Sequence, residues 1–438
     1  MLLEFRFANY KSFADEAVFS MERASEQEEL AYSLIKRETK RTKSKNSVGL
    51  CSSVVYGPNG AGKSNVVSAL NTLRSIVLSG NIRDFGRGET LPTVLPPSAL
   101  TFVPNSAHGE IKPIELSIKF IEGGRLFEYS IEFEAGLFAQ TNQHRKIVAE
   151  RLVLDKEQQF SRSGTGLEVS DPNDIKRGIA EKSLADDELF LTNGFKTVYD
   201  SEAVSLIREW FERKLFVISQ AQMYGLVDIM FAQEGGFPIN DGVVSILPFS
   251  QAVKAIGGIT NELGVRVRDG KPLPRPVSII RRGDGETVAI DAESYESLGT
   301  TKFLSILGPL IYALSTGATL VIDEFDASIH PMVIANIINI FHNDEINRNG
   351  AQLIFNTHNP IFLNRSLFRE DEIKFVERDE ETGHSQLYAL SDFEATDGRD
   401  ISDYMKNYFV GRYGAIREVE LSDIFEELLR KGGDVDEA

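Results

Sequence analysis

The chain has 438 residues, 42% of them hydrophobic and 26% charged, with a formal net charge of −18 at pH 7. That length exceeds one simple core and predicts two or three lobes, and the ordinary composition excludes a fibrous or disordered chain. The acidic balance repels nucleic acid on average, so any DNA contact has to come from a local patch. The one cysteine, Cys51, excludes internal disulfides and fits a reducing cytoplasm.

The opening MLLEFRFANYKSF alternates apolar and polar residues. It predicts a hairpin of strands 2–8 and 16–21 around NYKSFAD, and no signal peptide. A basic, exposed loop follows, IKRETKRTKSKN at 35–46. LCSSVVY (50–56) reads as a short apolar strand running into GPNGAGKS (57–64), and NVVSALNTLRSIVL (65–78) as a helix. Residues 80–113 are rich in Gly, Pro, Ser and Thr and predict irregular chain. IELSIKFIEGGRLFEYSIEF (114–133) predicts a β-hairpin turning at Glu122-Gly123-Gly124, and KIVAERLVL (146–154) extends its sheet.

From about 170 to 265 the pattern is mostly helical, with SEAVSLIREWFERKL (201–215) amphipathic, and 266–293 returns to short strands. The run 303–322 carries no charge and is long enough to cross a bilayer. Gly308-Pro309 and Ser315-Thr316-Gly317 interrupt it, so it predicts a buried helix, a turn and a buried strand, with no membrane contact. PMVIANIINIFHND (331–344) predicts a helix, AQLIFNTH (351–358) a buried strand, and IKFVERDEETGHSQLYAL (373–390) a hairpin. The tail from Ile424 is acidic.

Three segments carry chemistry. In GPNGAGKSN, residues Gly57, Pro58, Asn59, Gly60, Ala61, Gly62, Lys63, Ser64 and Asn65 form the pattern of a phosphate-binding loop between a strand and a helix. Its glycines let backbone N–H groups curl around phosphates at a helix N-terminus. Lys63 would reach the β- and γ-phosphates of ATP, and the Ser64 hydroxyl would bind Mg²⁺. TLVIDEFD (319–326) delivers Asp323 to a strand end as a second Mg²⁺ ligand. Next to it, Glu324 is the candidate that polarises the attacking water. NTHNP (356–360) places His358 after another buried strand, where it could contact the γ-phosphate and orient that water. The other histidines, His330 included, show no metal-ligand spacing, so Mg²⁺ is the single metal expected.

With FANYKSF at the start, YGPNGAGKSN, ESLGTTK (296–302), LVIDEFDASIHP and NTHNP in this order, the chain resembles the RecF/SMC-like branch of ABC ATPases. The resemblance implies an α/β fold: a P-loop ABC-type ATPase head with a mixed sheet, an antiparallel β subdomain and an inserted, mainly helical lobe. The discontinuous core is expected over 1–160 and 294–438 and the lobe over 161–293. It also implies a homodimer or higher oligomer. In it Ser297, Gly299 and Thr300 cover the nucleotide held by the partner chain, and Asp326 and Ser328 line the dimer seam. The tail YFVGRYGAI (408–416) looks like the RloA-type ATPases, AAA-family ATP-binding proteins related to the ATPase half of OLD nucleases. That likeness implies a cytoplasmic switch in a phage-defence or restriction-linked operon, acting on a separate RloB-like nuclease or toxin.

Departures narrow the reading. The insertion is too short for an SMC coiled coil. Glu377 and Asp379 lie at a hairpin turn, so FVERDEETG does not begin a nuclease domain. The glutamine that couples the two lobes stays open between Gln143 and Gln220. The alternative is a RecF-like, ATP-dependent DNA clamp in repair, with the basic stretch 36–45 as its contact.

Overall fold

The structure is a computed structural model that describes residues 1–24, 30–37, 47–83, 112–135, 145–164, 166–170, 174–195, 202–218, 242–260, 262–268, 271–393, 403–416, 422, 425 and 426. Gln143, Gln220 and residues 38–45 of the basic stretch lie outside them.

The central sheet runs in the order Leu215–Ile218, Thr319–Ile322, Gln352–Asn356, Ser52–Tyr56, Ile373–Arg378, Ser385–Ala389. All neighbours are parallel except the last pair. Strands 52–56, 319–322 and 352–356 are buried at every position, which is why they read as unbroken apolar runs rather than alternations. The registers Leu353↔Ser52 and Ile322↔Phe355 set the C-terminal ends of these three strands side by side.

A second, antiparallel sheet of seven strands holds the opening hairpin (Leu2–Ala8 with Ala17–Ser20) and the hairpin Ile114–Glu122 with Arg125–Glu134. Its strands alternate buried and half-buried residues, as a sheet with one packed face should. The helix Lys63–Ser79 lies between the two sheets, with Leu70, Leu73, Ile76 and Val77 in one core with Phe5, Phe7, Phe120 and Phe127. On the other face of the central sheet the helices Leu298–Thr316 and Pro331–His342 share a core with Leu320, Leu353 and Phe355. Gln352 stitches the layers: its Oε1 accepts from Leu2 N at 2.6 Å and from Thr319 Oγ1 at 2.8 Å.

The charge-free run is a helix, a left-handed turn at Gly317 (φ 72) and the strand Thr319–Ile322. The helix is long and apolar enough to span a bilayer, yet half of it is buried against the rest of the chain.

The expectation of a mainly helical lobe over 161–293 is corrected. Among the described residues it has helices Asp174–Ser183, Glu202–Glu209 and Leu247–Ala255, but also a four-stranded antiparallel sheet, Gly242–Ser245, Leu263–Arg268, Lys271–Arg281 and Thr287–Asp291. The segment Leu215–Ile218 is the edge strand of the central sheet, paired in parallel with Thr319–Ile322. Four apolar residues after an amphipathic helix carry no period that separates strand from helix. Their state is set by a partner a hundred residues away.

Candidate nucleotide-binding site

The phosphate loop leaves the strand Ser52–Tyr56 and turns into the helix at Lys63. Two of its glycines are needed sterically. A Cβ on Gly57 would stand 2.2 Å from the Val376 carbonyl oxygen. Gly62, at φ 114, occupies a conformation that L side chains avoid. Lys63 is buried, and its ammonium donates to the carbonyls of Gly57 (2.7 Å) and Pro58 (3.1 Å). Burial pulls its pKa down to about 8, an effect partly offset by Asp323, Glu324 and Asp326.

Strand order brings the other motifs to this loop. Ser64 Oγ donates to Asp323 Oδ1 at 2.9 Å across 259 residues of sequence. His358 Nδ1 lies 3.3 Å from Lys63 Nζ. Burial, and next the Lys63 charge, lower the His358 pKa, which favours the neutral imidazole. Ser64 and Asp323 thus present two hard oxygens to one point, the donor chemistry that Mg²⁺ takes up. Glu324 follows Asp323 in a left-handed conformation (φ 52), which costs a non-glycine residue about 1–2 kcal/mol.

Ser297 caps the helix Leu298–Thr316, its Oγ accepting from Thr300 N at 3.2 Å. It hydrogen-bonds with Thr300 and Thr301, and the side chain is exposed. Gly299 packs under the Ser328 carbonyl, which a Cβ would approach to 2.4 Å. The turn at Ser297–Gly299 with the first turn of its helix, the signature turn, therefore rests on the 324–328 turn of its own chain. Asp326 is half-buried and Ser328 exposed at φ 69. Asn65 donates to Ser12 Oγ at 2.8 Å, bolting the opening hairpin turn to the loop. His330 caps the next helix through Nδ1, accepting from Met332 N at 3.2 Å. Asp379 closes its own turn by accepting from Thr382 N at 2.6 Å, and no group of three metal-ligating side chains occurs among the described residues.

Four supporting residues escape sequence reasoning. Asn356 Nδ2 donates to Asp323 Oδ1 at 2.5 Å, and its Oδ1 accepts from Glu324 N at 2.6 Å. Lys302 Nζ donates to the Glu324 carbonyl at 2.6 Å. Glu296 is buried and accepts from Ile259 N (2.7 Å) and Thr260 N (2.8 Å), joining the signature turn to the four-stranded lobe. Lys11 reaches Ser68 Oγ at 2.7 Å on the phosphate-loop helix. All four lie within segments already marked as motifs, Lys11 in FANYKSF, Glu296 and Lys302 in ESLGTTK and Asn356 in NTHNP, and that membership is the one signal that could have found them.

A parallel sheet with a phosphate loop, an Asp-Glu strand end and a capped helix leading into that strand defines an ABC-type P-loop ATPase. Residues 52–364 match the family model described as "AAA domain, putative AbiEii toxin, Type IV TA system", and the chain belongs to that family. No curated protein matches it. Among solved structures it is similar to the SMC head domain from Thermotoga maritima, at 13% identity and a TM-score of 0.37, over 89% of this chain and 98% of that one. The assignment rests on the family model and on the site's own geometry.

Proposed function

We propose that the chain binds ATP with Mg²⁺ and hydrolyses it as half of a dimeric switch. Each triphosphate lies between the phosphate loop of one copy and the signature turn of its twin. The observation that carries this reading is the 2.9 Å Ser64–Asp323 contact, which joins the two halves of a nucleotide–metal site across the sequence. Mg²⁺ held by Ser64 and Asp323 would neutralise charge on the β- and γ-phosphate oxygens. Lys63 exchanges its loop carbonyls for phosphate oxygens, and Glu324 takes the proton of the attacking water. His358 orients that water from a neutral ring. Ser297, Gly299 and Thr300 close over the partner's γ-phosphate, with the helix dipole aimed at it.

Exposed apolar side chains support such a seam: Leu298, Met332 and Ile361 flank the signature, the 324–328 turn and the His358 segment. Hydrolysis opens the pair, and the change passes to a separate effector. The RloA-like tail and the toxin–antitoxin wording of the family description support a cytoplasmic, anti-phage or restriction-linked setting with a RloB-like nuclease or toxin as effector. Light scattering of Glu324→Gln with ATP and Mg²⁺ tests the reading. The expected result is a stable dimer; a monomer that hydrolyses at the parental rate overturns it.

One observation favours the second reading, a DNA clamp. The paired strands Leu263–Arg268 and Lys271–Arg281 expose Arg266, Arg268, Arg275 and Arg281 in a net acidic chain. Arg266 and Arg281 also have acidic partners, Asp291 at 3.6 Å and Glu262 at 3.0 Å. DNA binding that weakens steeply with salt and is lost in Arg268→Glu/Arg275→Glu supports the clamp, and no binding at low salt leaves the switch.

A further inference from the structure

The signature helix carries a buried cation with no assigned task. Lys302 lies one turn inside that helix, is 7% exposed, and faces Asp326, Glu324 and Asp323. A buried ammonium is costly unless it is paired, and an apolar side chain there would avoid the cost. The charge is spent on one atom: Nζ donates to the Glu324 carbonyl at 2.6 Å.

That carbonyl belongs to one of the two residues of the 324–328 turn, Glu324 and Ser328, that stand in the left-handed region. Glu324 stands at φ 52, and both sides of it are clamped. Its N–H is held by Asn356 Oδ1 at 2.6 Å; its carbonyl accepts from Lys302 and, within the turn, from Ala327 N at 3.2 Å. The same helical turn meets the 324–328 turn a second time, where Gly299 lies under the Ser328 carbonyl. On its other side, Glu296 anchors the signature turn to the four-stranded lobe through Ile259 N and Thr260 N. A push on Ser297 or Gly299 thus reaches Glu324 through one rigid turn of helix and one hydrogen bond.

We propose that Lys302 is a positioning residue that holds the Glu324 peptide from the signature helix, so that the signature turn and the catalytic carboxylate move as one. The inference rests on the reading of Glu324 as the base. It adds a link within one chain to a contact made between two. Lys302 touches no substrate, and its effect runs through Glu324.

The test is a double-mutant cycle on the full chain. Lys302→Met should lower kcat for ATP hydrolysis about tenfold or more while the Kd for a fluorescent ATP analogue stays within about twofold of the parent. Lys302→Arg, which keeps the charge, should recover most of the loss, and Lys302→Gln serves if the methionine variant does not fold. In a Glu324→Gln background, Lys302→Met should cost nothing further, because both changes act through one carboxylate. A Lys302→Met enzyme with kcat within twofold of the parent, or losses that multiply in the double variant, overturns the proposal. If instead Glu324→Gln hydrolyses ATP at the parental rate, the base assignment has failed. A crystal structure of Lys302→Met then decides: Glu324 leaving the left-handed region supports the link, and an unchanged Glu324 overturns it.

Discussion

Asn356→Ala is the sharpest probe of how the site is held together. The side chain is 1% exposed and uses both ends of its amide, donating to Asp323 Oδ1 at 2.5 Å and accepting from Glu324 N at 2.6 Å. A hydrogen bond to a carboxylate contributes about 1.5–3 kcal/mol and a neutral one about 1 kcal/mol, so truncation removes roughly 3 kcal/mol of restraint from two adjacent residues. Glu324, held at φ 52 against its preference, is free to relax. If most of that restraint acts in the transition state, kcat falls about a hundredfold, since each 1.36 kcal/mol is tenfold in rate. Lys63 and the loop backbone are untouched, so nucleotide affinity should change by less than about threefold. Phosphate release under saturating ATP gives kcat, titration with a fluorescent ATP analogue gives Kd, and a melting curve confirms folding. Asn356→Asp keeps the acceptor for Glu324 N but sets a second carboxylate against Asp323, and should fare no better than alanine. A folded Asn356→Ala protein with kcat within threefold of the parent would refute the argument.

Two further substitutions test packing and burial. Gly299→Ala sets a Cβ 2.4 Å from the Ser328 carbonyl, a backbone atom that cannot swing aside. Overpacking of about 1–3 kcal/mol should lower the melting temperature and weaken ATP-dependent dimerisation, and parental values of both would show that the two turns are not in fixed contact. Lys374 is 3% exposed, and burial brings its pKa down to about 8, with Asp371, Asp392 and Glu372 partly offsetting it. The folded state therefore binds fewer protons than the unfolded state above that pH, so stability rises as pH climbs from about 8 towards 10. The cost of the buried charge below pH 8 is bounded at roughly 3 kcal/mol. The stability difference between Lys374→Met and the parent, measured by urea unfolding, should accordingly shift in the parent's favour across that window. A difference that does not move with pH would place the Lys374 ammonium in a solvated setting.

Much of the fold was legible because its signals are local. The hairpin 114–133 shows a period of two around a glycine pair, and the structure has strands Ile114–Glu122 and Arg125–Glu134 there. The charge-free run divides at Gly317 into the helix and strand that its glycine and proline positions indicate. The middle of the chain misled for the converse reason. Leu215–Ile218 and Gly242–Ser245 are too short to show a period, whereas Lys271–Arg281 and Thr287–Asp291 fall in the stretch 266–293 that already reads as short strands.

Sequence alone marked the glycine-rich loop 57–64 and the acidic and basic side chains proposed to serve it, because glycine spacing and apolar runs act over a few residues. Only the tertiary structure decided that Ser64 meets Asp323, that Asn356 clamps the Asp323–Glu324 pair, and that Lys302 reaches Glu324 from the signature helix. Those contacts join residues 22 to 259 positions apart. Their existence depends on the order in which parallel strands line up in the central sheet, and burial across the whole chain sets that order.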